Sequence, residues 1–415
     1  MIPVTLSDAL TLPCGAVLPN RIAKSAMSEA LATIDHKVSD QLVRLYEAWS
    51  EGGSGLLISG NVMIDRKALG EPKNVVAEDE SDLDGLKRWA RAGTKAGNHF
   101  WMQINHPGKQ SPKDLNETAV APSAIPLKKE IRLFFRDARE LTETEILDLI
   151  QRFGNAARLA KQAGFTGVQI HSAHGYLVSQ FLSPLHNQRT DRWGGSLENR
   201  MRFLMEVYGA MRAAVGPDFP VGVKLNSADF QKGGFAVDEA IEVAKVLDAA
   251  GIDMIEVSGG TYESPVVATG VKPDQKASTK AREAYFAEYA RLIRNAVKTP
   301  VMLTGGFRTD EAMIEALTEG DCDVVGLARS LVLDLQAPAK MLRGESFLSL
   351  VKPLKTGIKA IDSTGMLEIW WYGRQMTRIS NGKPPRPSES PIYAFVATLL
   401  TKGAQAWATR KLRAN

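Results

Sequence analysis

Two histidines and a tyrosine stand close together in residues 170–203, IHSAHGYLVSQFLSPLHNQRTDRWGGSLENRMRF. They are His171, His174 and Tyr176, and they directly follow an apolar run with the character of a buried strand. Parallel α/β proteins place their chemistry at the carboxyl ends of strands, so these side chains are predicted to be catalytic. Two imidazoles can donate hydrogen bonds to a substrate oxygen while a nearby phenol supplies a proton. Metal ligation by the histidines is the alternative, although no third ligand of suitable type is evident.

Two further segments have the composition of an anion site. Gly305 and Gly306 follow one predicted strand, and Ala328 and Arg329 follow the next. In a barrel, the loops after the seventh and eighth strands customarily bind phosphate, because glycines let backbone N–H groups approach the anion and an arginine adds a charged contact. These loops predict a ligand that bears a phosphate. Tight strand-to-helix turns would also explain the glycines.

Several polar residues lie at the predicted ends of other strands, where burial without a partner would be costly. They are Lys24, Ser28, Asn61, Gln103, Lys224 and Asn226. One polar ligand at the centre of a barrel could satisfy several of them at once, whereas each residue alone could be a solvated loop residue. Their joint placement therefore predicts a shared binding site.

The elements that must position these residues are eight apolar runs with strand character, most of them separated by segments with helical periodicity. The runs are residues 22–26, 55–59, 100–104, 167–170, 221–225, 254–257, 301–303 and 324–326. One clear helix spans 142–164, where Thr142 and Glu145 form a capping box and Gly164 ends the helix. This alternation predicts an α/β protein with a (β/α)8 TIM barrel, and a doubly wound open sheet is the main alternative.

The barrel is predicted to span residues 1–335, because the alternation stops there and leaves a C-terminal helical extension. A long loop at 105–140, rich in Pro, Lys and Arg, is predicted to be a lid. The densest feature of the extension is Trp370, Trp371 and Tyr372, which we interpret as packing anchors.

The final segment, 391–415, is predicted to be a basic amphipathic tail helix, with four basic residues and no acid. Its apolar residues recur with helical spacing, at Ile392, Phe395, Val396, Leu399 and Leu400. The uncharged run stops at Lys402 and is too short for a membrane span. Packing on the body of the protein or on a sister subunit, which would make a homo-oligomer, is the favoured interpretation, and contact with a membrane surface is the alternative.

The bulk composition is that of a soluble protein with a large core, with 44% hydrophobic and 24% charged residues. Two cysteines, Cys14 and Cys322, are too few for a disulfide framework or a structural zinc site. The amino terminus does not resemble a secretory signal, so a cytoplasmic location is expected. The net charge of +4 lies in the tail, which argues against nucleic acid as a partner.

The run HSAHGYLVSQFLSPLHNQRTDRWGGSLENR resembles the signature of the Old Yellow Enzyme family of FMN-dependent ene-reductases. The resemblance extends over residues 1–385 and includes PNRIAKSAMSE, QINHPG, VGVKLNSADF, TGGF and GLARSL. The segment WYGRQMTRISNGKPP is similar to the end of the catalytic domain in this family, which assigns residues 336–390 to that domain.

The resemblance implies that FMN binds non-covalently at the barrel mouth. Its implied contacts are Ser25 and Met27 through backbone groups, Ser28 and Gly60 beside the ring, Gln103 at the pyrimidine edge, Lys224 near N1 and O2, and Gly305, Gly306, Ala328 and Arg329 at the phosphate. Ser28 stands where many relatives have Cys or Thr, and altered redox tuning is expected. Lys224 replaces the arginine of several members but supplies the same charge.

The implied reaction takes hydride from NADH or NADPH and reduces the activated C=C bond of an α,β-unsaturated carbonyl compound, a small enone-type molecule. His171 and His174 would hold the carbonyl oxygen, and Tyr176 would protonate the α-carbon. Alternatives are a related flavin barrel acting as a dienoyl-thioester reductase or an amine dehydrogenase, a flavin-free barrel acting on a phosphorylated metabolite, and a noncatalytic binding protein. The absence of closely spaced cysteines argues against members that use iron–sulfur centres.

Overall fold

Eight parallel strands close into a barrel in the computed structural model, which describes residues 4–229, 231–258, 279–362 and 366–401. They are β1 (Ile22–Lys24), β2 (Leu56–Ile58), β3 (His99–Asn105), β4 (Gly167–Ser172), β5 (Val221–Asn226), β6 (Met254–Ser258), β7 (Val301–Thr304) and β8 (Val324–Leu327). Each strand pairs with its neighbours in sequence order, and β8 pairs with β1. The predicted (β/α)8 barrel is confirmed, and the open-sheet alternative is wrong because the sheet has no free edge at β1.

Helices surround the barrel. They are α1 (Asp40–Ser50), α2 (Leu83–Gly93), α3 (Glu143–Ala163), α4 (Leu197–Val215), α5 (Val237–Ala249), α6 (Thr279–Ala296), α7 (Asp310–Thr318) and α8 (Met366–Ser380). The predicted capping box of Thr142 and Glu145 is present at the start of α3, and Gly164 ends that helix with a φ of 92°. Helix α8 packs beside α1 at the end of the ring, where Arg44 Nε donates to the Ser380 carbonyl at 2.6 Å.

Side chains fill the amino-terminal half of the barrel interior. They come from alternate positions of the strands, namely Ala23, Leu56, Ile58, Trp101, Met254, Met302 and Val324. A hairpin of the two-residue strands Leu10–Thr11 and Val17–Leu18 lies against this cluster through Leu12 and Leu18. Apolar side chains therefore close the interior at the amino-terminal end, and the predicted site residues lie toward the carboxyl-terminal end.

The loops contain short strands and helices that the hydrophobic periodicity of the sequence does not predict. Strand Val62–Met63 pairs with Val75–Val76 and with the end of β3. In the predicted lid, strand Val120–Ala121 pairs with Arg139–Glu140, and a short helix spans Lys129–Arg132. Further short helices are Glu80–Asp82, Leu177–Leu182, Ser330–Leu333, Ala337–Leu342 and Lys359–Asp362. The function of the lid stays a prediction.

The predicted tail helix is helical over 391–401, and its remainder lies outside the described residues. It packs on the body through Phe395, whose ring centroid is 5.1 Å from that of Trp370. Other apolar members of the predicted face are exposed, at Ile392, Val396, Leu399 and Leu400. Within the described part of the chain, no helix is long and apolar enough to cross a membrane. The division at residues 335 and 390 stays a prediction.

Candidate active site

His171, His174 and Tyr176 come together at the carboxyl end of β4. The ring centroid of His171 lies 5.1 Å from that of His174 and 4.8 Å from that of Tyr176. Strand β4 ends at Ser172, and His174 and Gly175 then turn the chain with φ values of 60° and 76° before the helix Leu177–Leu182 begins. A non-glycine residue in this left-handed region costs about 1 kcal/mol, which neighbouring contacts must offset. The turn explains how side chains three and five residues apart converge.

Contacts from two strand ends and one loop hold the His174 turn. Its backbone N–H donates to Asn226 Oδ1 at 3.2 Å, and its carbonyl accepts from Gln110 Nε2 at 2.9 Å. The imidazole Nε2 lies 2.8 Å from Ser258 Oγ at the end of β6. The unusual backbone of His174 is thus fixed by the ends of β5 and β6 and by the loop after β3.

Both imidazoles are neutral at physiological pH. Burial, the nearby His174 and the charge of Lys224 hold the pKa of His171 well below its usual value. Burial and Lys224 likewise lower the pKa of His174 to about 3. His171 Nδ1 accepts a hydrogen bond from the backbone N–H of Ala173 at 3.3 Å, so its proton resides on Nε2. The pair therefore offers neutral N–H donors and no cation.

The phenol of Tyr176 is oriented by two asparagines. Asn61 Nδ2 donates to the Tyr176 hydroxyl oxygen at 3.5 Å, and Asn105 Nδ2 donates to Asn61 Oδ1 at 3.2 Å. Asn61 was singled out from the sequence as a polar residue at the end of β2. The structure places it near Tyr176, where it contacts a predicted catalytic group.

Strand register places further polar side chains in the barrel interior, next to the histidines. His171 is the register partner of Lys224 on β5, and Lys224 is the partner of Glu256 on β6. Gln103 on β3 is likewise paired with Gln169 on β4. Side chains at paired positions of adjacent parallel strands point to the same side of the sheet, here the barrel interior.

These side chains form a continuous hydrogen-bonded layer across the barrel. Lys224 Nζ donates to Glu256 Oε1 at 2.8 Å, and Thr304 Oγ1 donates to the same oxygen at 2.7 Å. Gln169 Nε2 donates to Glu256 Oε2 at 2.8 Å, and Gln103 Nε2 donates to Gln169 Oε1 at 2.8 Å. Ser25 Oγ lies 2.8 Å from Thr304 Oγ1. We call this layer the polar floor; its members are Ser25, Gln103, Gln169, Lys224, Glu256 and Thr304.

Gln169 and Glu256 are two members of the polar floor that sequence reasoning missed. Both lie inside runs that were interpreted as buried strands, and no strand end marks them. The signal was present, because a Gln or Glu in the middle of a fully buried strand must face a polar partner.

Lys24 does not face the barrel centre, which corrects the prediction that a central ligand satisfies it. Its Nζ donates to Tyr46 Oη at 2.9 Å, to the Ile58 carbonyl at 2.8 Å and to Glu29 Oε1 at 3.3 Å. Tyr46 in turn donates to Glu29 and accepts from the backbone N–H of Gly60 at 3.1 Å. Burial lowers the pKa of Lys24 to about 8 and raises the pKa of Glu29. The pleat of β1 sends Lys24 outward to α1, while Ser25 faces the interior.

The segment after β1 approaches Gly60 very closely. A Cβ atom at Gly60 would collide with Glu29 Oε2 and with the Met27 carbonyl. Ser28 Oγ donates to Glu71 Oε2 at 2.6 Å, so its hydroxyl proton is directed to a carboxylate. Only glycine fits at position 60 without displacing the segment that carries the predicted ring contacts.

The loops after β7 and β8 fit a phosphate. Gly305 and Gly306 have φ values of 97° and 89° and are exposed at the rim, where a Cβ at Gly305 would meet open space. Ala328 and Arg329 follow β8 directly, and Arg329 Nη1 lies 3.3 Å from Glu368 Oε2 on α8. The Gly305 N–H donates to the Gly326 carbonyl at 3.4 Å, so the exposed backbone of Gly306 and the Arg329 guanidinium are the candidate donors to an anion.

The donor set therefore fits FMN. The rim of β7 and β8 offers the Arg329 guanidinium to a phosphate, and the polar floor offers an amide from Gln103 and an ammonium from Lys224 to a pyrimidine edge. Within the described residues, no group of three His, Cys, Asp or Glu side chains could hold a metal ion. The individual roles of the site residues stay predictions.

Comparison with known proteins agrees with this chemistry. The sequence model of the NADH:flavin oxidoreductase / NADH oxidase family matches residues 14–347. The NADH-dependent flavin oxidoreductase iccE of Talaromyces variabilis is 35% identical over 414 residues, which cover 92% of this chain and 100% of that protein.

Two solved structures share the fold. The Old Yellow Enzyme homologue from Zymomonas mobilis has a TM-score of 0.71 at 26% identity, over 87% of this chain and 99% of its own. A 2-naphthoyl-CoA reductase has a TM-score of 0.76 at 27% identity, over 90% of this chain and 58% of its own. The chain therefore belongs to the NADH:flavin oxidoreductase / NADH oxidase family, in the Old Yellow Enzyme group of (β/α)8 barrel enzymes that use FMN and NAD(P)H.

Proposed function

We propose that this enzyme reduces the C=C bond of α,β-unsaturated carbonyl compounds with NAD(P)H as the electron donor. The observation that carries the proposal is the convergence of two neutral imidazoles and a phenol at the end of β4. Bound FMN would carry the hydride from NAD(P)H to the β-carbon of the substrate. Each turnover consumes one NAD(P)H and one proton and adds two hydrogens across the double bond.

The two histidines bind the carbonyl oxygen of the substrate. His171 donates from Nε2, because its Nδ1 is occupied by the Ala173 N–H, and His174 stands beside it with its ring held by Ser258. Donors aimed at this oxygen draw electron density from the β-carbon and stabilise negative charge that develops on the oxygen. Because both rings are neutral, they hold the oxygen without transferring a proton to it.

Tyr176 supplies the proton to the α-carbon. Its ring stands 4.8 Å from that of His171, so a substrate held by the histidines lies next to the phenol. Asn61 Nδ2 donates to the phenol oxygen at 3.5 Å, which helps to hold the hydroxyl group beside the histidines. Hydride addition at the β-carbon and proton addition at the α-carbon complete the reduction.

An anaerobic visible absorption spectrum tests the proposal. The flavin absorbance should bleach with NADH or NADPH and return when cyclohexenone is added, and the faster donor identifies the nicotinamide preference. Bleaching without recovery in the presence of cyclohexenone would contradict enone reduction while leaving the family assignment intact.

A thioester substrate is a second candidate, favoured by the likeness to a 2-naphthoyl-CoA reductase. An enoyl thioester presents the same conjugated carbonyl to the two histidines. Recovery of the flavin colour with crotonyl-CoA and not with cyclohexenone would assign the enzyme to thioesters. Family membership sets aside the flavin-free barrel and the noncatalytic binding protein.

A further inference from the structure

The polar floor contains a buried carboxylate whose charge opposes the cation predicted to face the flavin. Glu256 is fully buried in the barrel and forms a 2.8 Å ion pair with Lys224, which is also buried. Within the parts of the chain that the structure describes, no other carboxylate pairs with Lys224. The charge of Lys224 is therefore matched by an opposite charge before any ligand binds.

Three donors fix the position of this carboxylate. Lys224 and Thr304 donate to Oε1, and Gln169 donates to Oε2. The strand register places Glu256 directly opposite Lys224, so the pair is set by the backbone of β5 and β6. These three hydrogen bonds hold the carboxylate in one orientation beside Lys224.

We propose that Glu256 sets the reduction potential of the bound flavin by opposing the charge that Lys224 presents to it. Two-electron reduction of FMN builds negative charge on the pyrimidine side of the ring, and a cation there stabilises the reduced form. A carboxylate 2.8 Å from that cation weakens the stabilisation and lowers the potential. Glu256 is thus a positioning and charge-balancing residue that acts through Lys224. This inference rests on the same ring placement over Lys224 that the proposed function uses.

The test is the flavin midpoint potential, with sulfite affinity as an independent probe of positive charge near the ring. Glu256→Gln keeps the shape and removes the charge. It should favour reduction at least tenfold, an upward shift of about 30 mV for a two-electron couple, and should bind sulfite at least tenfold more tightly. An unchanged or lower potential in Glu256→Gln with FMN bound would overturn the proposal.

Matched variants separate charge from shape. Glu256→Asp keeps the charge and should lie within about threefold of the unmodified enzyme in both measurements. Lys224→Met removes the cation and leaves the Glu256 carboxylate without its ion-pair partner. It should lower the midpoint potential and weaken sulfite binding. The double variant Lys224→Met/Glu256→Gln has the same net charge as the unmodified pair and should return both values toward it.

The double variant also decides the matter if Glu256→Gln alone does not fold, because replacing both members of a buried ion pair is better tolerated than removing one. A potential no higher than that of Lys224→Met would overturn the proposal, and recovery toward the unmodified value would support it. Neither measurement requires an enone. A shift in Glu256→Gln in an enzyme that does not react with cyclohexenone would therefore refute only the proposed function.

Discussion

Lys224 on β5 is the register partner of His171 on β4, so the backbone alone sets a cation beside an imidazole. The cation helps to lower the pKa values of both His171 and His174, after burial, and keeps the two rings neutral. One lysine therefore has two electrostatic effects at this site. It presents positive charge to the predicted flavin position, and it adds to the effect of burial in disfavouring protonation of the residues that are proposed to bind the substrate oxygen.

The low pKa of His174 predicts a loss of stability in mild acid. The unfolded chain binds a proton at His174 near pH 6.5 and the folded protein near pH 3, so the free energy of unfolding falls as the pH decreases through that window. Between pH 7 and pH 5, His174 should account for a decrease of about 2 kcal/mol in the free energy of unfolding. Urea unfolding with saturating FMN should show a smaller decrease for His174→Gln than for the unmodified protein. Equal decreases would contradict the assigned pKa.

Removal of both imidazoles should abolish ligand binding and leave the cofactor in place. A phenol offers its oxygen to the same donors as an enone, so we expect His171→Ala/His174→Ala to lose phenol binding, followed as the change in flavin absorbance on titration with a phenol. Substrate reduction should slow by at least about 100-fold, the loss expected when oxyanion donors are removed. His99→Ala is the matched control, because His99 lies at the amino-terminal end of β3 and contacts the Val17 carbonyl. Retained phenol affinity in the double variant would refute the proposed roles.

The rim of β7 and β8 can be tested with two flavins. Arg329→Met should weaken FMN binding by about 10- to 100-fold, the range for loss of one charged hydrogen bond. Riboflavin lacks the phosphate, and its affinity should change little in the same variant. Titration of the apoprotein with each flavin, followed by fluorescence, gives both constants. Equal losses of affinity for FMN and riboflavin would show that Arg329 does not act through the phosphate.

The barrel could be predicted from sequence because its strands are short apolar runs bounded by turn residues and separated by capped helices. His171, His174 and Tyr176 could also be predicted from sequence, since side chains at the carboxyl end of a buried strand must gather at the barrel rim. Glu256 and Lys24 could not be assigned in this way. The role of each depends on which side of the sheet it faces and on its neighbour across the register, and apolar periodicity in fully buried strands does not reveal either.

Gly60 should not tolerate a methyl group. In Gly60→Ala the new Cβ would collide with Glu29 Oε2 and the Met27 carbonyl, which would displace the segment after β1. FMN affinity should fall, and stability should decrease by about 1–3 kcal/mol. Gly209→Ala is the control, since Gly209 is exposed in α4 with open space around it and should gain roughly 0.5–1 kcal/mol. Thermal unfolding and flavin release compare the two, and an undisturbed Gly60→Ala would show that the segment can move at little cost.

The pair of Lys24 and Glu29 should be more costly to break than to replace. Lys24→Met removes the cation and leaves the buried Glu29 carboxylate with Tyr46 as its side-chain donor, so the free energy of unfolding should fall by about 3–5 kcal/mol. In Lys24→Met/Glu29→Gln no buried charge is left, and most of that loss should be recovered. Urea unfolding of the two variants measures the difference. A double variant no more stable than Lys24→Met would show that the ion pair itself holds β1 against α1.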